Sequence, residues 1–253
     1  MKLYEGKISI LMPAYNEGDR IFNNLLKAWA TFKKFRFPFE ILVIDDGSQD
    51  YTKDEIKRAA SVHTEIKLIE NKTNLGKGFA LKNGFSNASG NIIVFLDSDL
   101  EIDPTQVGNL LKAMRDNDSE IAIGSKRHRD SNITYPFSRK ILSAGYYIII
   151  RLLFNLPVKD TQSGIKTFRR DVLGKIFPKI LCKKYAFDVE ILANAVRSGY
   201  RITEVPIKIV FSRKNNMGRI KIKDIVDIWI DTLAIWYRMK LLKYYDKSNT
   251  KLS

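Results

Sequence analysis

Cysteine occurs once in the 253 residues, at Cys182, and histidine twice, at His63 and His128. One thiol excludes an intrachain disulfide framework, and without a His/Cys pairing around it Cys182 reads as a buried thiol rather than a nucleophile. The two histidines are far apart and lack ligand spacing, which argues against a zinc site. Long hydrophobic runs are missing too. The longest apolar stretch, Ile141–Ile150, is closed by Arg151 and is about half of the ~20 residues a spanning helix requires, so no transmembrane helix is expected. Met1–Lys7 is polar and Ile8–Met12 is too short for a signal core, so no secretory leader is expected. No stretch rich in Pro, Gly or Ser marks a linker, and no repeat or low-complexity tract is present. One domain with a C-terminal extension is the simplest organisation, with residues 1–212 as the domain and 213–253 as a basic amphipathic helical extension.

Acidic residues are the minority charge, 28 against 43 basic, for a net +15 at neutral pH. Such an excess suits nucleic acid, anionic lipid or a phosphorylated substrate. It is unevenly spread: Lys208–Lys251 holds eleven Lys/Arg against four Asp, and Lys126–Arg151 six against one. The acidic residues that look chemically arranged lie earlier in the chain. An acidic metal site followed by basic peripheral segments fits a phosphate-handling enzyme near a membrane. It does not fit a nucleic-acid module: none is recognisable, and an acidic cluster repels phosphate unless metal-loaded, so no nucleic-acid partner is expected. Hydrophobic residues at 45% and charged residues at 28% describe an ordinary globular chain.

Short β-branched runs alternate with amphipathic segments through the first 125 residues. KISILM (7–12), EILVID (40–45), IKLIEN (66–71), NIIVFLD (91–97) and IAIGS (121–125) read as strands. Helices are expected near Glu17–Lys34, Thr52–Ser61, Lys77–Asn87 and Pro104–Arg115. This alternation predicts an α/β fold with a mostly parallel, Rossmann-like sheet, and the nearly continuous apolar strands predict helices on both faces. Farther on, helices are expected at Phe137–Asn155 and Phe187–Ser198, strands at 165–169 and 201–211, and a long terminal helix at Ile222–Tyr245. In open sheets of this kind ligands bind beyond the carboxyl ends of the strands.

Those ends carry polar motifs. Pro13-Ala14-Tyr15-Asn16-Glu17 follows the first strand, with Pro13 expected to end it and Asn16 or Glu17 free to cap a helix or bind a hydroxylated ligand. Asp45-Asp46-Gly47-Ser48 follows the second; taken alone it is a common turn, but adjacent carboxylates repel unless cations or donors sit nearby. Asn74-Leu75-Gly76-Lys77-Gly78 leads into a helix whose N-terminus favours anions, although the Walker pattern is absent. Asp97-Ser98-Asp99-Leu100-Glu101 follows the fourth strand. In an extended chain its alternate carboxylates share one side, and Mg²⁺ is commonly held by one or two carboxylates plus substrate phosphates.

PAYNE (13–17), DDGS (45–48), NLGKG (74–78) and DSDLE (97–101), in this order, resemble the family 2 inverting glycosyltransferases with the GT-A fold. Gly124-Ser125-Lys126, DTQSGIKTFRRDV (160–172) and YAFDVEILANAVRSGYRITEVPI (185–207) are similar to the dolichyl-phosphate glucose and mannose synthase branch, and the likeness covers roughly residues 7–240. The chain departs from the family's DADLQ or DADMQ at DSDLE, where Glu101 adds a charge. The resemblance implies a nucleotide-sugar site with Pro13, Tyr15 and Glu17 lining the nucleoside pocket, Asp46 at the base and Asp45 supporting the turn. Lys77 and the Gly76–Gly78 turn would border the donor, Asp97 would hold the ribose or sugar end, and Asp99 and Glu101 would ligate Mg²⁺ or Mn²⁺ between the two phosphates. Asp97, Asp99 and Asp188 are the candidate catalytic residues; Asp188 stands where hydroxyl-transferring relatives carry their base, or else it orients the sugar or binds a basic neighbour.

The implied acceptor is a polyprenyl phosphate. Lys126, Arg127, Arg129, Arg139 and Lys140 surround the expected entrance, and Gln162 and Ser163 shape its floor. A phosphate monoester, with its second pKa near ~6, is already an anionic nucleophile at neutral pH. The alternative is a family 2 enzyme that uses a sugar hydroxyl in glycan assembly. Ile141–Leu156 and the terminal helix look built for a membrane surface, with core or dimer packing as the other reading. In the helix Asp224, Asp227, Asp231 and Arg238 form a narrow polar stripe among apolar residues. A peripheral position on the cytoplasmic face is expected. Glucose or mannose, UDP or GDP, and the oligomeric state are left open.

Overall fold

The structure is a computed structural model that describes residues 6–131, 137–209 and 222–246, with the backbone alone at 137–144 and 222–225. Seven strands among these residues form one sheet in the order β3-β2-β1-β4-β6-β5-β7. They are β1 (Ile8–Ala14), β2 (Phe39–Asp46), β3 (Ile66–Asn71), β4 (Ile92–Leu96), β5 (Ile121–Ser125), β6 (Ile165–Arg169) and β7 (Ile202–Pro206). β1 runs parallel to β2 and β4, β2 to β3, and β5 to β7. β6 alone is antiparallel, to β4 on one side and β5 on the other.

The helices are α1 (Gly18–Lys34), α2 (Thr52–Val62), α3 (Lys77–Asn87), α4 (Val107–Asp116), α5 (Phe137–Phe154), α6 (Arg170–Ile176), α7 (Phe187–Arg197) and α8 (Ile222–Lys240). Both faces of the central strands are covered, which is why β1 and β4 are almost wholly apolar. Along β1, Ile8, Ile10 and Met12 join the core of Ile21 and Leu25 from α1 and Leu110 from α4. Leu11 points the other way, into the core of Leu81, Phe168 and Phe187. Phe187 is 1% exposed, a burial worth about 1.5–3 kcal/mol. Ile235, Met239 and Tyr245 join that same core, so α8 shares it with the sheet.

Several boundaries differ from expectation for physical reasons. Pro13 does not end β1, which continues to Ala14 beside β2. Pairing with β4 stops at Leu11, so the proline falls where one flank of the strand is already free and a missing donor is tolerated. The helix expected from Pro104 begins as a single 3-10 turn, Pro104–Gln106, with the Asp103 side chain accepting from Thr105 N–H. The strand expected over 201–211 stops at Pro206 on the sheet edge, with Ile209 adding an isolated bridge to Ile102. α6 was not anticipated, being too short to show a helical period.

Candidate active site

The carboxyl ends of β1, β2 and β4 open on one side of the sheet, and their loops are tied together. Asn16 N–H donates to Ser48 Oγ at 3.0 Å, and Gln49 N–H donates back to Asn16 Oδ1 at 2.9 Å. Glu17 N–H reaches Thr52 Oγ1 at 2.7 Å, and Gly18 N–H reaches Asp50 Oδ2 at 3.1 Å. Asn16 holds φ 52 to make the turn, a conformation asparagine tolerates better than most residues. In this loop Tyr15 is 40% exposed, whereas Glu17 is buried.

Asp45 and Asp46 are both buried. Asp45 accepts Ser48 N–H at 3.1 Å, which closes the DDGS turn. Asp46 turns inward and accepts from Asn71 Nδ2 (2.8 Å), Leu75 N–H (3.1 Å) and Gly76 N–H (2.8 Å). The carboxylate expected at the base thus spends its acceptors on fastening the NLGKG turn to β2. Two amides farther on are taken as well, because Gly78 and Phe79 N–H donate to the Lys183 carbonyl at 2.7 and 3.2 Å. The glycine-rich turn is therefore a structural joint and not an open anion cradle; the chemistry it presents is the Lys77 side chain.

Lys77 Nζ lies 2.7 Å from Asp97. Burial works against its charge, but Asp97, Asp188 and Asp99 outweigh burial and hold the ammonium above the ordinary lysine range. Asp97 N–H donates to Gly164 O at 3.1 Å, and a Cβ on Gly164 would collide with the Asp97 carboxylate, so the TQSG turn approaches this strand end through a glycine. DSDLE is a tight turn, not the extended run that places three carboxylates on one side: Leu100 has φ 50 and its N–H returns to Asp97 O. No group of three or more His, Cys, Asp or Glu converges for a metal among the described residues. Asp99 nevertheless has a distinctive environment. Burial first, then the Asp97, Glu101 and Glu17 charges, push its carboxyl up to about 6. A half-buried carboxylate crowded by like charges fits a divalent cation that completes its shell with phosphate oxygens.

On the opposite side of Asp97, Lys126 N–H donates to Asp160 Oδ2 (2.8 Å) and Lys126 Nζ to Gln162 O (3.1 Å). Gln162 Nε2 contacts Tyr185 O at 3.4 Å, and Ser163 is buried. The Arg127 guanidinium lies 4.8 Å from the centre of the Tyr147 ring, whose hydroxyl accepts from Arg151 at 3.1 Å. Arg129 is exposed. The side chains of Arg139 and Lys140 lie outside the described residues.

Asp188 opens α7 and is buried against Lys166, with Nζ–Oδ1 at 2.7 Å. Lys166 Nζ also donates to Ser163 O at 2.6 Å. Burial pulls this ammonium below the ordinary lysine range, against the opposing pull of Asp188. Lys166 was passed over in the IKTFR strand, where Thr167 and Arg169 make a lysine look ordinary.

The model of "Glycosyl transferase family 2" matches residues 9–177. The chain belongs to glycosyl transferase family 2. This glycosyltransferase is 30% identical over 262 residues to a dolichyl-phosphate beta-glucosyltransferase, ALG5C of Trichomonas vaginalis, covering 97% of this chain and 76% of that one. It is 28% identical over 235 residues to the glycosyltransferase AglD of Haloferax volcanii, covering 92% of this chain but spanning only 37% of AglD. The fold is that of glucosyl-3-phosphoglycerate synthase from Mycobacterium tuberculosis, solved with Mn²⁺, UDP-glucose and phosphoglyceric acid: TM-score 0.67 at 19% identity, covering 97% of this chain and 82% of that one. The glycosyltransferase thus has the GT-A architecture expected of its motifs, a mostly parallel sheet flanked by helices.

Proposed function

We propose that this glycosyltransferase moves a sugar, glucose or mannose, from a UDP- or GDP-sugar to a polyprenyl phosphate of the dolichyl type, with inversion at the anomeric carbon. The reading is carried by the buried Lys166–Asp188 pair. A hydroxyl acceptor needs a general base, and the residue in that position is neutralised by a lysine and withdrawn from solvent. A phosphate monoester brings its own negative charge and needs positioning cations instead.

In this reading Tyr15 and Glu17 line the nucleoside side, and Asp46 acts by holding the donor loop. Lys77 and Asp97 border the sugar. Asp99 and Glu101 would hold Mg²⁺ or Mn²⁺, which when bound would supply Lewis-acid relief of charge on the leaving group. Lys126 and Arg127, with Gln162 and Ser163 beneath, orient the acceptor phosphate. Its oxygen bonds to the anomeric carbon from the face opposite the diphosphate, the bond to the diphosphate oxygen breaks, and the nucleoside diphosphate departs.

A membrane-surface position is part of the proposal. Two residues of the α8 polar stripe are engaged on the domain: Asp227 meets Lys184 at 3.3 Å, and Arg238 meets the buried Glu190 at 3.2 Å, while the Asp224 side chain lies outside the described residues. Val226, Ile230, Leu233, Tyr237 and Leu241 are left exposed. α5 touches α8 through Tyr146 on Trp229 and Thr232, and it exposes Ile148 and Leu152. No helix among the described residues is long and apolar enough to cross a membrane. An apolar face bordered by basic segments suits an anionic leaflet, such as that of a cytoplasmic face.

The test is transfer of labelled sugar from UDP-glucose or GDP-mannose into organic-extractable lipid on addition of dolichyl phosphate, with Mg²⁺ or Mn²⁺ against chelator. Labelled product on oligosaccharides alone overturns the reading.

A further inference from the structure

Glu190 is 0% exposed and has no place in the chemistry proposed above, yet four donors converge on it. One oxygen accepts Leu181 N–H at 3.1 Å and Cys182 N–H at 2.7 Å. The other accepts from the Tyr245 hydroxyl and from Arg238 Nη2 at 3.2 Å. Leu181 and Cys182 begin the segment that ends at Ala186, just before α7. Two residues on, Lys183 presents the carbonyl that receives the Gly78 and Phe79 amides. That carbonyl presses so closely on the donor turn that a Cβ at Gly76 would lie 2.6 Å from it. Lys184 then reaches Asp227 of α8 at 3.3 Å. The segment is a strap with one edge on the first turn of α3 and the other on the C-terminal helix.

We propose that Glu190 and Tyr245 are positioning residues for the donor lysine, gripping the strap so that the first turn of α3 sets Lys77 against Asp97. The inference rests on the reading that Lys77 and Asp97 border the sugar donor. A buried carboxylate with four donors is a rigid anchor, because each donor removed leaves charge uncompensated in a low-dielectric interior. Lys77 stands one residue from Gly78, so a shift of the Lys183 carbonyl moves the ammonium relative to Asp97. Small displacements at a reacting centre are costly. Tyr245 and Arg238 lie beyond the residues matched by the family model, so the C-terminal segment contributes to donor placement from outside the nucleotide-sugar core.

The experiment uses the full chain and steady-state kinetics, with UDP-glucose or GDP-mannose varied at saturating dolichyl phosphate and the converse, whichever donor supports turnover. Tyr245→Phe keeps the ring in the core and removes only the hydroxyl; Glu190→Gln keeps the shape and removes the charge. The donor KM is expected to rise roughly fivefold in Tyr245→Phe and further in Glu190→Gln, with acceptor KM unchanged. Lys77→Ala raises donor KM by itself, and adding Tyr245→Phe to it produces no further rise, since both act through the same ammonium. Melting temperatures are recorded for every variant. A lower melting temperature in Tyr245→Phe with an unchanged donor KM overturns the inference, as does a donor effect that persists in the Lys77→Ala background. If Lys77→Ala leaves donor KM unchanged, the donor-site reading itself fails and the inference with it.

Discussion

Lys166 and Asp188 meet at 2.7 Å inside the domain, their side chains 2% and 7% exposed, joining β6 to the first turn of α7. Removing one partner strands a charge. Lys166→Met is expected to destabilise the domain by about 3–5 kcal/mol, whereas Lys166→Met with Asp188→Leu recovers much of the loss. Urea unfolding of the three proteins checks this; equal destabilisation by the single and double changes refutes it. For activity, Asp188→Asn is expected to retain measurable transfer to dolichyl phosphate, because the residue is not asked to take a proton.

Asp46 gathers three donors, two of them amides of the NLGKG turn. Asp46→Ala leaves these groups without their acceptor, at a cost of about 1–3 kcal/mol, and loosens the turn that carries Lys77. A several-fold rise in donor KM should accompany the loss of stability. Unfolding curves and donor titrations check both, and an unchanged donor KM removes Asp46 from the donor loop's support.

Glu40 supplies the pH prediction. It lies buried on β2 and accepts from Lys7 Nζ, Ser9 Oγ, Ser89 N–H and Lys67 Nζ. Burial alone raises its pKa, but these donors outweigh burial and hold the carboxyl well below the usual carboxylate range. A folded value below an unfolded value near ~4.3 means the unfolded chain takes up the proton first. The stabilisation is complete above that value and is lost as pH falls towards the depressed folded one. Between pH 5 and pH 3, Glu40→Gln should therefore show a shallower fall in unfolding free energy than the wild type; parallel slopes contradict the assignment.

The outward face of α8 can be tested apart from catalysis. Ile230→Glu with Leu233→Glu alters two exposed side chains, so the melting temperature should stay close to that of the wild type. Flotation with phosphatidylserine-containing vesicles is expected to weaken roughly tenfold or more, given ~1.5–3 kcal/mol for each large apolar side chain buried. Undiminished flotation rules this face out as the contact.

The strand ends were legible because β1, β2 and β4 are continuous apolar runs closed by polar motifs, and IKLIEN and IAIGS coincide with β3 and β5. The antiparallel direction of β6 was not, since a five-residue strand has the same local pattern whichever way it runs. NLGKG illustrates a second limit. Its glycines and helix N-terminus suggest an anion cradle locally, but the carbonyl that occupies those amides belongs to Lys183, more than a hundred positions away. The polar stripe of α8 was visible as a pattern, but the partners of Asp227 and Arg238, Lys184 and Glu190, are ones that no helical period reveals.

Helix α8 commits Asp227 and Arg238 to its own domain and leaves an apolar strip exposed. Such a protein should self-associate as concentration rises and disperse when mild detergent covers the strip formed by Val226, Ile230, Leu233 and Tyr237. Sedimentation above and below the critical micelle concentration would then report how greasy that strip is, before any substrate is added.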